Sequence, residues 1–120
     1  MGLDLFFYRT KAEEIGYFRK VNFLVHFFES LDYEIDNCVP ITITKEDTEE
    51  LLKRCDEVLK DHSKAEELLP TTSGYFFGNT TYNELYFNDV KSVKEYVKNI
   101  LLPQFENLSL DEKIEFKIWY

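Results

Sequence analysis

Arg19, Asn22 and His26 recur at helical spacing, with Lys20 beside them, and form the first group in this sequence able to do chemistry. A guanidinium offers a planar fork to carboxylate or phosphate, an amide both donates and accepts, and an imidazole changes charge near neutral pH. Together they could grip an anion. The same spacing also describes the solvated side of any amphipathic helix. A second group is the run Ser73-Gly74-Tyr75-Phe76-Phe77-Gly78-Asn79, followed by Tyr82, Glu84, Tyr86 and Asp89. Rings held between two glycines suit a platform that stacks a base, with hydroxyls and Asn79 to orient it; they equally suit a loop whose rings plug the core. Consecutive rings cannot all point inward, so at least one is expected at the surface. The candidate ligand- or partner-binding residues are thus Tyr17, Arg19, Asn22, His26, Ser73, Tyr75, Phe77, Asn79, Tyr82, Tyr86 and Asp89.

Motifs that would make these residues catalytic do not appear. The sequence has no GxSxG, HExxH, Walker loop or GxGxxG leading into a helix. Cys38, His26 and Asp36 or Asp32 can be imagined as a thiol site, but nothing in their spacing brings them together. Cys38 and Cys55 lack CxxC spacing, and neither His26 nor His62 has a second ligand at a useful distance along the chain. No metal and no cofactor is expected, and the balance leans away from an enzyme.

The elements that position these residues follow from periodicity. Leu3, Leu5 and Phe7 alternate and predict a first strand. From Glu13 to about Leu31, Phe18, Val21, Leu24, Val25, Phe28 and Leu31 recur at three and four and predict a long helix carrying the Arg19–Asn22–His26 stripe. A loop to Val39 and a short strand Ile41–Thr44 follow. Thr44 with Asp47 forms a capping-box pattern for a helix burying Leu51, Leu52, Cys55, Val58 and Leu59. Ser63 with Glu66 opens a short helix that Pro70 ends. The Gly74–Gly78 segment reads as a hairpin or an ordered loop, with both glycines at positive φ. Asn88 is the expected N-cap of a last helix through Val90, Val93, Val97, Ile100 and Leu101, ended by Pro103. Ile114, Phe116 and Ile118 alternate in a terminal strand expected beside the first. The whole chain, residues 1–120, is expected to be one α+β domain, a small, mostly antiparallel sheet covered by three main helices.

Composition narrows the partners. A charge of -9 among 120 residues disfavours direct nucleic-acid binding, which draws its affinity from Lys and Arg on phosphates. Acidity favours a partner with a basic surface and also simply keeps a protein soluble. The aromatic fraction of 17% exceeds what a small core needs and suggests displayed rings. No apolar run approaches a membrane span and no signal peptide opens the sequence, so a cytoplasmic protein without membrane contact is expected. The terminal strand could pair with itself across a two-fold axis to give a homodimer.

The start Met1-Gly2-Leu3-Asp4-Leu5, the block from Glu14 to Asn22 and the run from Leu69 to Gly78 resemble a family of small uncharacterised proteins of bacteriophages and prophages. The resemblance spans roughly Met1 to Leu101 and includes Tyr86, Phe87 and Asp89. Family members carry Met where Leu5 stands and Trp where Phe18 stands. It implies a setting, a virus or mobile element inside a bacterial cell, and assigns no role to any residue. The leading expectation is an acidic, non-catalytic accessory protein that binds and inhibits a host defence protein, anti-CRISPR-like. The alternative is a module sequestering a nucleotide or anion between the Arg19/Asn22/His26 stripe and the aromatic loop.

Overall fold

Alternating apolar residues near the two ends of the sequence meet in the middle of an antiparallel sheet. In the computed structural model, which describes residues 2–10, 13–74 and 78–120, strand β1 (Asp4–Arg9) pairs with β2 (Glu13–Arg19) on one side. Short strand β3 (Ile41–Ile43) and β4 (Ile114–Trp119) complete the order β2-β1-β4-β3. Helices α1 (Phe23–Ser30), α2 (Lys45–Lys60), α3 (Ala65–Leu68), α4 (Glu84–Tyr96) and α5 (Leu102–Glu106) make the fold α+β. Leu5, Phe7, Phe116 and Ile118 point to one side of the sheet and join Phe28 of α1, Leu51 and Cys55 of α2, and Val90 and Val93 of α4 in one contiguous core. Phe116 sits at its centre, with ring centroids 4.5 Å from Phe28 and 5.2 Å from Phe7.

The capping box of α2 forms as expected. Thr44 Oγ1 accepts from the Asp47 N–H at 3.1 Å, and the Asp47 carboxylate accepts from the Thr44 N–H at 3.0 Å. The Tyr33 hydroxyl donates to the same carboxylate, fastening the preceding loop to the helix start. Burial, with that bond, pushes the Tyr33 phenol up to about 12. Cys55 lies fully in the core, where desolvation raises its thiol to about 12, a small apolar residue in effect.

Several local expectations are corrected. The segment expected to begin the first helix is strand β2, and helix α1 starts only at Phe23. Ile15, Tyr17 and Phe18 fit a pleated surface, and Gly16 admits the Tyr96 ring so closely that a Cβ there would lie 2.2 Å from its hydroxyl. Lys20, at φ 59°, turns the chain out of the strand, its N–H donating to Leu3 O at 2.7 Å. Ser63 does not cap the short helix after α2: a 3-10 turn, His62–Lys64, precedes α3 and is capped by Asp61, whose carboxylate accepts from both the N–H and hydroxyl of Ser63. Helix α4 is capped by Asn83, not Asn88, through a bond from the Tyr86 N–H at 3.1 Å. Ile100, expected inside, is 45% exposed.

Pro103 does not end the last helix either. Residues Val97–Leu101 widen into a π turn, and the Leu102 N–H donates five residues back to Val97 O. In a regular helix the proline ring would crowd the carbonyl four residues earlier. After the wide turn Pro103 occupies the first turn of α5, where its missing N–H costs nothing. Finally, β4 is flanked by both β1 and β3, so it is not an open edge for self-pairing. No helix among the described residues is long and apolar enough to cross a membrane.

Candidate functional site

The described parts of the loop between α3 and α4, residues 69–74 and 78–83, are held by side chains rather than by regular structure. Asn22, at the start of α1 and only 3% exposed, turns its amide away from its own helix: Nδ2 donates to Asn79 O at 3.0 Å and Oδ1 accepts from the Thr72 N–H at 3.1 Å. The Tyr82 hydroxyl accepts from the Thr71 N–H at 3.2 Å, and the Thr71 hydroxyl donates to Thr80 O at 2.9 Å. The Thr81 N–H donates to Asn79 Oδ1 at 2.8 Å, a local turn of the kind short amides favour. Tyr86 anchors the loop from the core side, its hydroxyl donating to Leu69 O at 2.7 Å. Burial raises the Tyr86 phenol well above its ordinary range. Among the described residues Gly78 is the glycine at positive φ, 96°.

This loop and the β2–α1 junction enclose a cleft of about 190 Å³ lined by Lys20, Asn22, Asn79, Tyr86 and Asp89, among others. Four of the expected site residues are thereby brought together, and Tyr82 adjoins them edge-on to Tyr86 at 5.1 Å. Others are not. Tyr17 and Arg19 belong to β2, so the helical stripe does not exist as a unit. His26 lies one turn beyond Asn22 on α1, half-buried, its Nδ1 without a hydrogen-bond partner among the described residues. Ser73 is exposed and does not line the cleft. Tyr75 and Phe77 lie outside the described residues. Burial raises the Asp89 carboxyl, favouring its neutral form. The cleft suits a small anion or one side chain, whereas ligand sites for nucleotide-sized molecules run to about 300–1,000 Å³.

A larger feature lies on the other side of the sheet. The β1 residues between the buried ones, Phe6 and Tyr8, share the outward face with Tyr17 of β2 and Lys117 and Trp119 of β4, and none of these is buried. Phe6 stacks on Tyr8 with centroids 5.7 Å apart and tilts against Tyr17 at 5.3 Å. Lys117 Nζ lies 5.1 Å from the Tyr8 centroid and 5.8 Å from that of Phe6. Tyr17 is 48% exposed and Trp119 57%. The Tyr17 hydroxyl donates to Asp4 Oδ1 at 2.6 Å, and that bond raises its phenol. Of this row, sequence reasoning singled out Tyr17 alone. The signal for the rest was present: in a strand whose odd positions are buried, the aromatic residues at 6 and 8 must face outward.

The acidic charge is unevenly placed. Between Val21 and Thr44 there is no Lys or Arg, while Glu29, Asp32, Glu34 and Asp36 are all exposed. This stretch is tied to the end of β4: the Cys38 N–H donates to Ile118 O at 2.8 Å, and Asn37 exchanges two bonds with the Tyr120 backbone, each 2.9 Å. On α2, by contrast, Glu50 is paired with Arg54 at 2.8 Å and Asp56 with Lys94 at 2.8 Å. Compared with family models, with curated proteins and with solved structures, the chain finds no match.

Proposed function

We propose that this chain is a non-catalytic, acidic accessory protein that binds and inhibits a protein with a basic surface, such as a host defence nuclease of the CRISPR type. The observation that carries this reading is the uncovered sheet face, where Phe6, Tyr8, Tyr17 and Trp119 face outward beside a stretch of exposed acidic residues without Lys or Arg. Rings of this kind supply the desolvated centre of a protein contact, and surrounding charge steers and orients the partner. An open sheet with rings also suits stacked single-stranded nucleic acid. A chain of charge -9 repels phosphate, which favours protein over nucleic acid. The setting, a phage or mobile element acting in a bacterial cell, rests on the sequence resemblance alone.

The test is affinity capture from bacterial lysate with the wild type, a Tyr8→Ser/Tyr17→Ser variant and a Glu34→Lys/Asp36→Lys variant. A basic protein held by the wild type, released by salt, lost in both variants and inhibited when bound would support the reading. Equal capture by the Tyr8/Tyr17 variant would remove the sheet face from it.

A second reading, sequestration of a small anion, draws on the cleft that joins the β2–α1 junction to the 71–89 segment. Its cation is Lys20 rather than Arg19. Native mass spectrometry of the protein from infected cells separates the two: a retained small mass lost on Lys20→Ala favours the cleft, a retained protein the sheet face.

A further inference from the structure

At one end of the open sheet face, Gly2, Asp4, Trp119 and Tyr120 enclose a cavity of about 200 Å³. Asp4 and Trp119 are directly opposed in the β1–β4 register, so their side chains rise together from the outward face. The bond from Tyr17 fixes one carboxylate oxygen of Asp4; the other has no partner among the described residues. Two residues earlier on β4, Lys117 already rests on the Phe6 and Tyr8 rings, evidence that this face accommodates a cation. Among the described residues no cation lies over Trp119.

Charge around the cavity is of both signs. Arg19 stands opposite Asp4 across the β1–β2 register, yet no ion pair joins them among the described residues. Its charge and that of Lys117 oppose an incoming cation. Against them stand Asp4 itself and the acidic stretch ending at Asp36, which Asn37 and Cys38 lay along Ile118 and Tyr120. The cavity is too small for a nucleotide and large enough for a planar cation with part of its stem.

We propose that this cavity receives an arginine side chain of the basic partner, its guanidinium flat on the Trp119 indole and hydrogen-bonded to the open Asp4 oxygen. A guanidinium is favoured over an ammonium because it is planar, stacks on aromatic faces and is more weakly hydrated. The assignment rests on the reading of a basic protein partner and names the contact at its centre.

Trp119 is the single tryptophan of the chain, so its emission reads the cavity directly. The intact protein is titrated at low salt with a tetra-arginine peptide and with a tetra-lysine peptide. The expected result is a saturable change with tetra-arginine, weaker binding of tetra-lysine, and a loss of about tenfold in affinity for Asp4→Asn, which keeps the shape and removes the charge. Circular dichroism of the variant checks its fold. A non-saturating response, tetra-lysine binding as tightly as tetra-arginine, or equal affinity for Asp4→Asn overturns the assignment. Because no partner protein is needed, such a failure leaves the sheet-face contact standing. Loss of that contact in the capture experiment, with peptide binding intact, would remove the partner and keep the cavity.

Discussion

Replacing Asn22 by alanine should unfasten the loop between α3 and α4 while leaving the sheet intact. Among the described residues the amide makes two long-range bonds, spanning 57 and 50 positions of sequence, at 3.0 Å to Asn79 O and 3.1 Å from the Thr72 N–H. Each contributes about 0.5–1.5 kcal/mol net, and a buried donor left unpaired costs a further ~1–3 kcal/mol. Asn79 is exposed and its carbonyl can recover water, whereas Thr72 is half-buried and its N–H recovers less. The expected loss is about 2–3 kcal/mol, a fall in Tm of roughly 6–15 °C for a domain of this size. Urea unfolding followed by circular dichroism gives the global value, and amide exchange at Thr72 gives the local one. Asn22→Asp keeps the acceptor for Thr72 but turns an oxygen toward Asn79 O, so it should lose a similar amount near neutral pH. A cost below about 0.5 kcal/mol with unchanged Thr72 exchange would mean that the loop is held by other contacts, and the reasoning would fail.

Gly16→Ala places a Cβ 2.2 Å from Tyr96 Oη and 2.4 Å from its Cζ, and should destabilise the fold by about 1–3 kcal/mol by overpacking. In a Tyr96→Ala background the penalty should nearly vanish; additive costs in the double mutant would contradict the clash. Glu112 is drawn down from 4.5 to about 2 by bonds from Arg9 and Ser109. Because its folded value lies below the unfolded one, its contribution is complete above about 4.5 and is lost as pH falls toward 2. Glu112→Gln should flatten the Tm-versus-pH curve in that window, and parallel curves for wild type and variant would refute the link.

The parts of the fold legible in the sequence are those decided locally. The Thr44–Asp47 box needs only four residues, and the alternation at 114–118 needs only one buried face. Strand β2 was misread because Phe18, Val21 and Leu24 sit three apart by coincidence across a strand, a turn and a helix. What decides that segment is remote: pairing with β1 and the Tyr96 ring lying against Gly16. The same holds for the cap of α4, where Asn83 and Asn88 are equally good by composition and tertiary packing selects the first. Of the candidate sites, the cleft was half legible, since Asn22, Asn79, Tyr86 and Asp89 do converge. The sheet face was not, because reading a strand for its buried residues overlooks what the alternate ones display.

The order β2-β1-β4-β3 also sets a schedule for making the protein. Strand β1 acquires its second neighbour only from residues 114–119, and the two are joined by bonds such as Thr10 to Lys113, separated by 103 positions. A ribosome delivers the β1–β2 hairpin and helices α1 to α5 before that strand exists. Until it arrives, Phe7 and Phe28 lack the ring that lies between them, and β1 offers a bare edge to any other extended chain. Closure of the sheet is therefore a late, long-range event, the kind of step that slows folding and leaves nascent chains in need of protection.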